Sequence, residues 1–409
     1  MNKRLYLLAS LVLLSAAISM GTIAYLQGDF VVVGGPTEPS VSKVVSIELS
    51  EEGIQESSEA VLLEGQSLII TAAGQYEISG QGPDVTVQVA KEVTDEVTIT
   101  LNNASLAQLD FQSTGTNILS LAKDSTNSLS GAETGISATN ITLTGEGGLA
   151  ISEVSTSGIF ATDDLVVESG TLTIDSAGSG LYAFHQTETS HGNLTINGGN
   201  VTISSSQQAG AALFAGNQLT VNNGSVTVNA AYEAVVAKNL VLNGGTNQLA
   251  STGHGLVARD SYLQEGELSE ANIKIEGGTN AVTAGLSPVL ANGNISLNGG
   301  VNTFVAEIPE QEVFTYSGKA DLTGGSLVAL GATSLTTSSQ NLLYTSLLGS
   351  PGDTVTISDA AGNEVASYQS PVAFSAIAYS SDQLTTGEVY YLSTTSGNYG
   401  QATATQGQE

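Results

Sequence analysis

Two short stretches of this sequence gather residue types that could do chemistry together. His185, Glu188 and His191 lie in the first, and Arg259, Asp260, Tyr262, Glu265, Glu267 and Glu270 lie in the second. Imidazoles and carboxylates together can ligate a metal, yet neither these two histidines nor His254 shows a recognised ligand spacing. A solvated polar loop is the competing reading of each stretch. Asp163 and Asp164, or Glu265 and Glu267, would hold calcium if their oxygens converged at about 2.4 Å from one point. Arg259 is the only arginine after the first 26 residues, and Asp260 beside it offers a loop ion pair. Sugars ask for something else, namely aromatic surface and planar hydrogen-bonding groups. Phe160, Tyr182 and Phe214 recur at one position of a repeat. Facing solvent, they would form an apolar strip fit for a ligand or another surface. Facing inward, they would be core, and alternation alone does not fix which parity is buried.

The charge balance narrows the partners. Asp and Glu number 39 against nine Lys and Arg, for a net charge of −30. Phosphate backbones require clustered cations, so nucleic acid is excluded as a partner. The acid excess favours cations such as calcium, or simple solubility. Apolar residues make up 41% of the chain and charged residues only 12%, a composition that can fill a long core and is unlike a disordered acidic chain. There is no cysteine, which removes disulfides and thiolate chemistry.

Residues 1–26 open with Lys3-Arg4 and continue as an apolar run from Leu5 to Leu26. This reads as an export signal, and it is also long enough to serve as an uncleaved anchor through residues 5–26. Both versions place the remainder outside the cytoplasm, at the cell surface or beyond. Residues 27–45, with Gly34-Gly35-Pro36 and Pro39, read as a linker. Residues 46–92 read as a β-rich N-terminal cap.

From residue 93 to 331 a repeat of about 22 residues takes over. Its anchor is a small residue, an apolar pair and alanine, as in Gly158-Ile159-Phe160-Ala161 and Gly180-Leu181-Tyr182-Ala183. It returns as Ala212-Leu213-Phe214-Ala215, Ala234-Val235-Val236-Ala237, Gly255-Leu256-Val257-Ala258 and Pro288-Val289-Leu290-Ala291. Two alternating strands follow each anchor, split by a glycine turn such as Gly198-Gly199 or Gly299-Gly300. Three short strands per coil predict an all-β chain wound as a right-handed, single-stranded parallel β-helix. In most coils the next strand follows its anchor closely, as from Ala161 to Leu165. After Ala183 it waits until Leu194, and after Ala258 until Ile273. Both insertions therefore leave one corner, three coils or about 14 Å apart, and they carry the two reactive stretches. Residues 332–395 read as a C-terminal β cap and residues 396–409 as a mobile polar tail.

Taken together, the pattern resembles the bacterial carbohydrate-binding domain-containing family, cell-surface polysaccharide binders with a polysaccharide-lyase-like β-helix. The resemblance covers roughly residues 46–395. It is carried by Ile69-Ile70-Thr71-Ala72-Ala73-Gly74-Gln75-Tyr76-Glu77-Ile78-Ser79-Gly80, by Thr162-Asp163-Asp164-Leu165-Val166-Val167, by Ile275-Glu276-Gly277-Gly278-Thr279 and by Ile357-Ser358-Asp359-Ala360-Ala361-Gly362-Asn363-Glu364-Val365. It implies extracellular binding of acidic or plant cell-wall polysaccharide, often with calcium. The family repeats acidic residues just before the anchor, whereas this chain has Ser157, Ser179, Glu233, His254 and Ser287 there. The leading expectation is a non-catalytic polysaccharide binder using Phe160, Tyr182, Phe214, His185, Glu188, His191, Arg259, Asp260 and Tyr262. Its candidate metal ligands are Asp163, Asp164, Glu265 and Glu267. A structural or adhesive surface protein that binds other proteins is the second reading, and a calcium-dependent polysaccharide lyase the third. No catalytic constellation stands out.

Overall fold

The computed structural model describes residues 23–26, 29–32, 44–50, 53–55, 58–206, 210–262, 270–335 and 337–407. Most of the expected export segment, as well as Glu265 and Glu267, lies outside these residues. The chain divides into two compact units, residues 1–43 and 44–409. In the first, Ile23–Leu26 pairs antiparallel with Asp29–Val32. Among the described residues there is no helix.

The second unit is a parallel β-solenoid of about 11 turns, roughly 23 residues each. Three ladders of short strands run its length. The anchor ladder stacks Thr134–Ala138, Ser157–Ala161, Ser179–Ala183, Ala211–Val221, Glu233–Leu242, Leu256–Ala258, Val289–Ala291 and Phe314–Tyr316. Its register aligns Ile159 with Leu181, Leu213, Val235, Leu256 and Val289 in turn. All of these are buried, and the anchor alanines stack beside them. Each coil has apolar residues it cannot hide alone, so the stack is what removes them from water, at about 1.5–3 kcal/mol per large aliphatic side chain. Gly199, Gly224, Gly245, Gly278, Gly300 and Gly325 form the turn column, with φ between +77° and +89°, where a β-carbon would be strained.

Parallel pairing begins within the segment read as the N-terminal cap, with Val45–Ser50 on Gly74–Val89, while Val61–Glu64 and Ser67–Ile70 pair antiparallel there. At the other end, Ser326–Leu330 pairs antiparallel with Phe374–Ser380, which closes the open edge of the ladder. A four-stranded antiparallel sheet follows, in the order Glu364–Gln369, Thr354–Ser358, Val389–Thr394, Tyr399–Thr403. Its last strand lies in the segment expected to be a polar tail. Ala402 and Ala404 are buried there. Their small size gives little hydrophobic signal in sequence, yet each fits under a paired strand.

Candidate functional site

On the anchor strands the interior parity belongs to Ile159, Leu181 and Leu213. Phe160, Tyr182 and Phe214 therefore point outward, and each remains half-buried. The column continues through Val236, Val257 and Leu290. Val236 and Val257 are fully buried although they share the outward parity. Glu233 begins its strand ahead of Val236, and Arg259 follows the strand of Val257. Arg259 donates two hydrogen bonds to the Glu233 carboxylate, Nη1 to Oε1 at 2.5 Å and Nη2 to Oε2 at 2.7 Å. Two long side chains thus lie across the valines. The apolar strip is covered at Val236 and Val257, and half-exposed at its aromatic end and at Leu290.

The rings form a stack along the solenoid axis. Tyr182 and Phe214 are 4.5 Å apart between centroids and nearly parallel, at 10°. Phe160 sits 5.7 Å from Tyr182, tilted by 30°. Strands of a ladder are separated by about 4.8 Å, so rings this close and parallel turn their faces toward one another. The inner faces of these rings are consumed by stacking, and their edges look outward. The ring at the end of the stack is Phe160. Beyond it the column continues with Ser137, whose hydroxyl donates to Asp110 at 2.6 Å.

The two insertions meet over this column. Phe184, the first residue after the Ala183 anchor, packs edge-on against Tyr182 and Phe214 at 6.2 and 6.0 Å. Tyr262 of the second insertion stacks on Phe184 at 5.1 Å and donates its hydroxyl to the His185 carbonyl at 2.6 Å. Gly216 lies beneath. A β-carbon there would come within 2.8 Å of the Phe184 ring and 2.9 Å of the Tyr262 hydroxyl. Burial pushes the Tyr182 phenol above its ordinary pKa of 10.0, and the same cause, helped by Asp260, raises Tyr262. Both remain neutral donors at ordinary pH. Sequence reasoning missed Phe184 and Gly216, although an aromatic residue placed directly after the anchor was visible as a signal.

The first insertion is held by its own polar side chains. His185 Nδ1 accepts from the backbone N–H of Glu188 at 2.8 Å and of Thr187 at 3.3 Å. Asp164 Oδ1 accepts from Asn193, both backbone and side chain, and Asn217 donates to Asn193 Oδ1. His191 Nδ1 approaches Asp163 Oδ1 at 2.6 Å, and that buried oxygen has no hydrogen-bond partner. His185 and His191 have ring centroids 5.5 Å apart. His254 sits on the other side of the anchor strand, near the Ser287 carbonyl. Among the described residues no three His, Asp or Glu side chains converge on one point.

Arg259 was expected to pair with its neighbour Asp260. It reaches Glu233 instead, because successive residues of an extended chain project in different directions. Asp260 pairs with Lys238 at 2.8 Å and accepts from the Tyr262 amide. Two shallow grooves flank Phe160 and Tyr182. One, about 480 Å³, is lined by Thr134, Thr156, Ser157 and Ser179. The other, about 520 Å³, is lined by Thr162, Phe184, His185, Gln186 and Thr187. Both are rich in hydroxyls, amides and ring edges, the groups that complement a sugar.

Comparison with known proteins adds three findings. The model of a family described as carbohydrate-binding domain-containing protein matches residues 64–307. No curated protein matches the chain. A solved polysaccharide lyase-like protein from C. thermocellum aligns with 14% identity over 72% of this chain and 97% of its own, with a TM-score of 0.30.

Proposed function

The chain belongs to the family of carbohydrate-binding domain-containing proteins, and on that premise we propose that it is an exported, non-catalytic binder of polysaccharide. The observation that carries the reading is the meeting of both insertions over the Phe160–Tyr182–Phe214 stack. It leaves two sugar-sized grooves with Phe160 and Tyr182 as their common wall. A pyranose seated at Phe160 meets apolar ring surface below, serine and threonine hydroxyls on one side, and His185 and Gln186 on the other. Export is supported by Lys3-Arg4 and the apolar run that follows them.

The non-catalytic part rests on the state of the basic groups. A lyase needs a base free to take a proton next to a sugar carboxylate, whereas Arg259 and Lys238 are each engaged by a carboxylate whose side chain is less than a tenth exposed. Retention on immobilised polysaccharides tests the reading. Wild type is expected to bind at least one acidic or plant cell-wall polysaccharide with calcium or with EDTA, and Phe160→Ala to weaken binding about tenfold. Absence of binding under both conditions overturns the assignment. Unsaturated-sugar absorbance on pectic substrates would overturn its non-catalytic part.

A further inference from the structure

The C-terminal four-stranded sheet buries only one of its faces. Val355, Ile357, Tyr390, Leu392 and Ala402 turn inward and pack with Leu343, Leu347 and Phe374 in a core of their own. The other face is ordered by register. Directly opposed residues of antiparallel strands share a face. One row therefore reads Ser367, Thr356, Ser393, Tyr399, and the next reads Glu364, Ser358, Tyr391, Gln401. Tyr391 and Tyr399 are diagonal neighbours on adjacent strands, with α-carbons about 7–8 Å apart.

Three properties of this face point to a ligand. Tyr399 is 82% exposed and Tyr391 49%, so folding gains little from either ring. Their surfaces are open, in contrast to the solenoid stack, where neighbouring rings cover one another. The remaining groups on the two rows are hydroxyls and an amide, and the one carboxylate, Glu364, stands on the edge strand. The two rows carry no Lys, Arg or His that would counter an acidic sugar.

We propose that the face formed by Tyr391, Tyr399, Ser393 and Gln401 is a second glycan-binding site, for an uncharged polysaccharide of equatorially linked pyranoses. Such chains are flat ribbons with C–H-rich faces and hydroxyl edges. The faces rest on the tyrosine rings, and the edges meet Ser393, Gln401 and Thr356. The site lies outside the residues matched by the family, and it does not depend on the solenoid groove.

Calorimetric titration with cellohexaose, together with pull-down on cellulose, tests this site on the full chain. Wild type is expected to bind, and Tyr391→Ala/Tyr399→Ala to lose affinity by about tenfold or more. Both side chains are exposed, so the variant keeps its fold, which its circular dichroism checks. Phe160→Ala is expected to leave cellohexaose binding unchanged, which separates this site from the solenoid groove. Failure of wild type to bind, or equal binding by the double variant, overturns the proposal. So does a concentration-dependent dimer that the double variant abolishes, since the face would then belong to a second copy of the chain.

Discussion

Replacing Arg259 with methionine tests whether the Glu233–Arg259 pair is the cover over Val236 and Val257. The two partners are unequal. The Glu233 side chain is only 4% exposed, whereas Arg259 is 40% exposed. Removing Arg259 leaves a nearly buried carboxylate without its two donors. Breaking a buried pair costs about 3–5 kcal/mol, and the water that already reaches Arg259 lowers this to about 2–3 kcal/mol. Removing Glu233 is a smaller change. The arginine can turn to water, and the register-equivalent position one coil earlier is Ala211, so Glu233→Ala should cost about 0.5–1 kcal/mol. The double variant should resemble Glu233→Ala alone, so that the second substitution rescues the first. Stability in a solenoid is a sum of coil and neighbour contributions, so the assay is amide hydrogen exchange at Val235–Ala237 and Leu256–Ala258, backed by urea unfolding. A smaller loss for Arg259→Met than for Glu233→Ala, or no rescue in the double variant, would refute the reasoning.

Three other outcomes follow from the same geometry. Tyr262→Phe removes the hydrogen bond that joins the insertions and should cost about 0.5–1.5 kcal/mol, read as faster proteolysis around Phe184–Asn193 with the solenoid intact; unchanged cleavage would show that stacking on Phe184 holds the loops by itself. The raised Tyr182 and Tyr262 phenols favour the folded state while they are protonated. That contribution is fully present below the ordinary value of 10.0 and is lost as pH rises through the folded-state values, so tyrosinate absorbance should track loop release above pH 10, and Tyr262→Phe should shrink the effect. A buried asparagine ladder runs Asn247, Asn280, Asn302, and Asn247 Oδ1 at its end lacks a donor because Val226 stands next in register. Val226→Thr supplies a hydroxyl there and should be within about 0.5 kcal/mol of wild type in urea unfolding, whereas Val201→Thr, one coil further, should cost about 1–2 kcal/mol; equal losses would show that the orphan oxygen takes no bond from that side.

The repeat was legible from sequence because its causes are local. Turn glycines such as Gly199 and Gly300 are required by backbone φ, and the alternation in Leu194-Thr195-Ile196 is set by the strand itself. The corner of the two insertions could be counted along the chain for the same reason. The strand Tyr399–Thr403 could not be found this way. Its buried residue, Ala402, is small and leaves little hydrophobic signal, although the strand pairs with the one just before it, Val389–Thr394. The sequence thus determined the coils, their period and the corner that carries the loops. Tertiary structure decided the rest. It turned Phe160, Tyr182 and Phe214 outward, spent their inner faces on stacking, and gave Arg259 to Glu233. It also joined Tyr262 to His185 across three coils. Each of these depends on which side chains become neighbours in adjacent coils, and coil stacking brings together residues that sequence holds tens of positions apart.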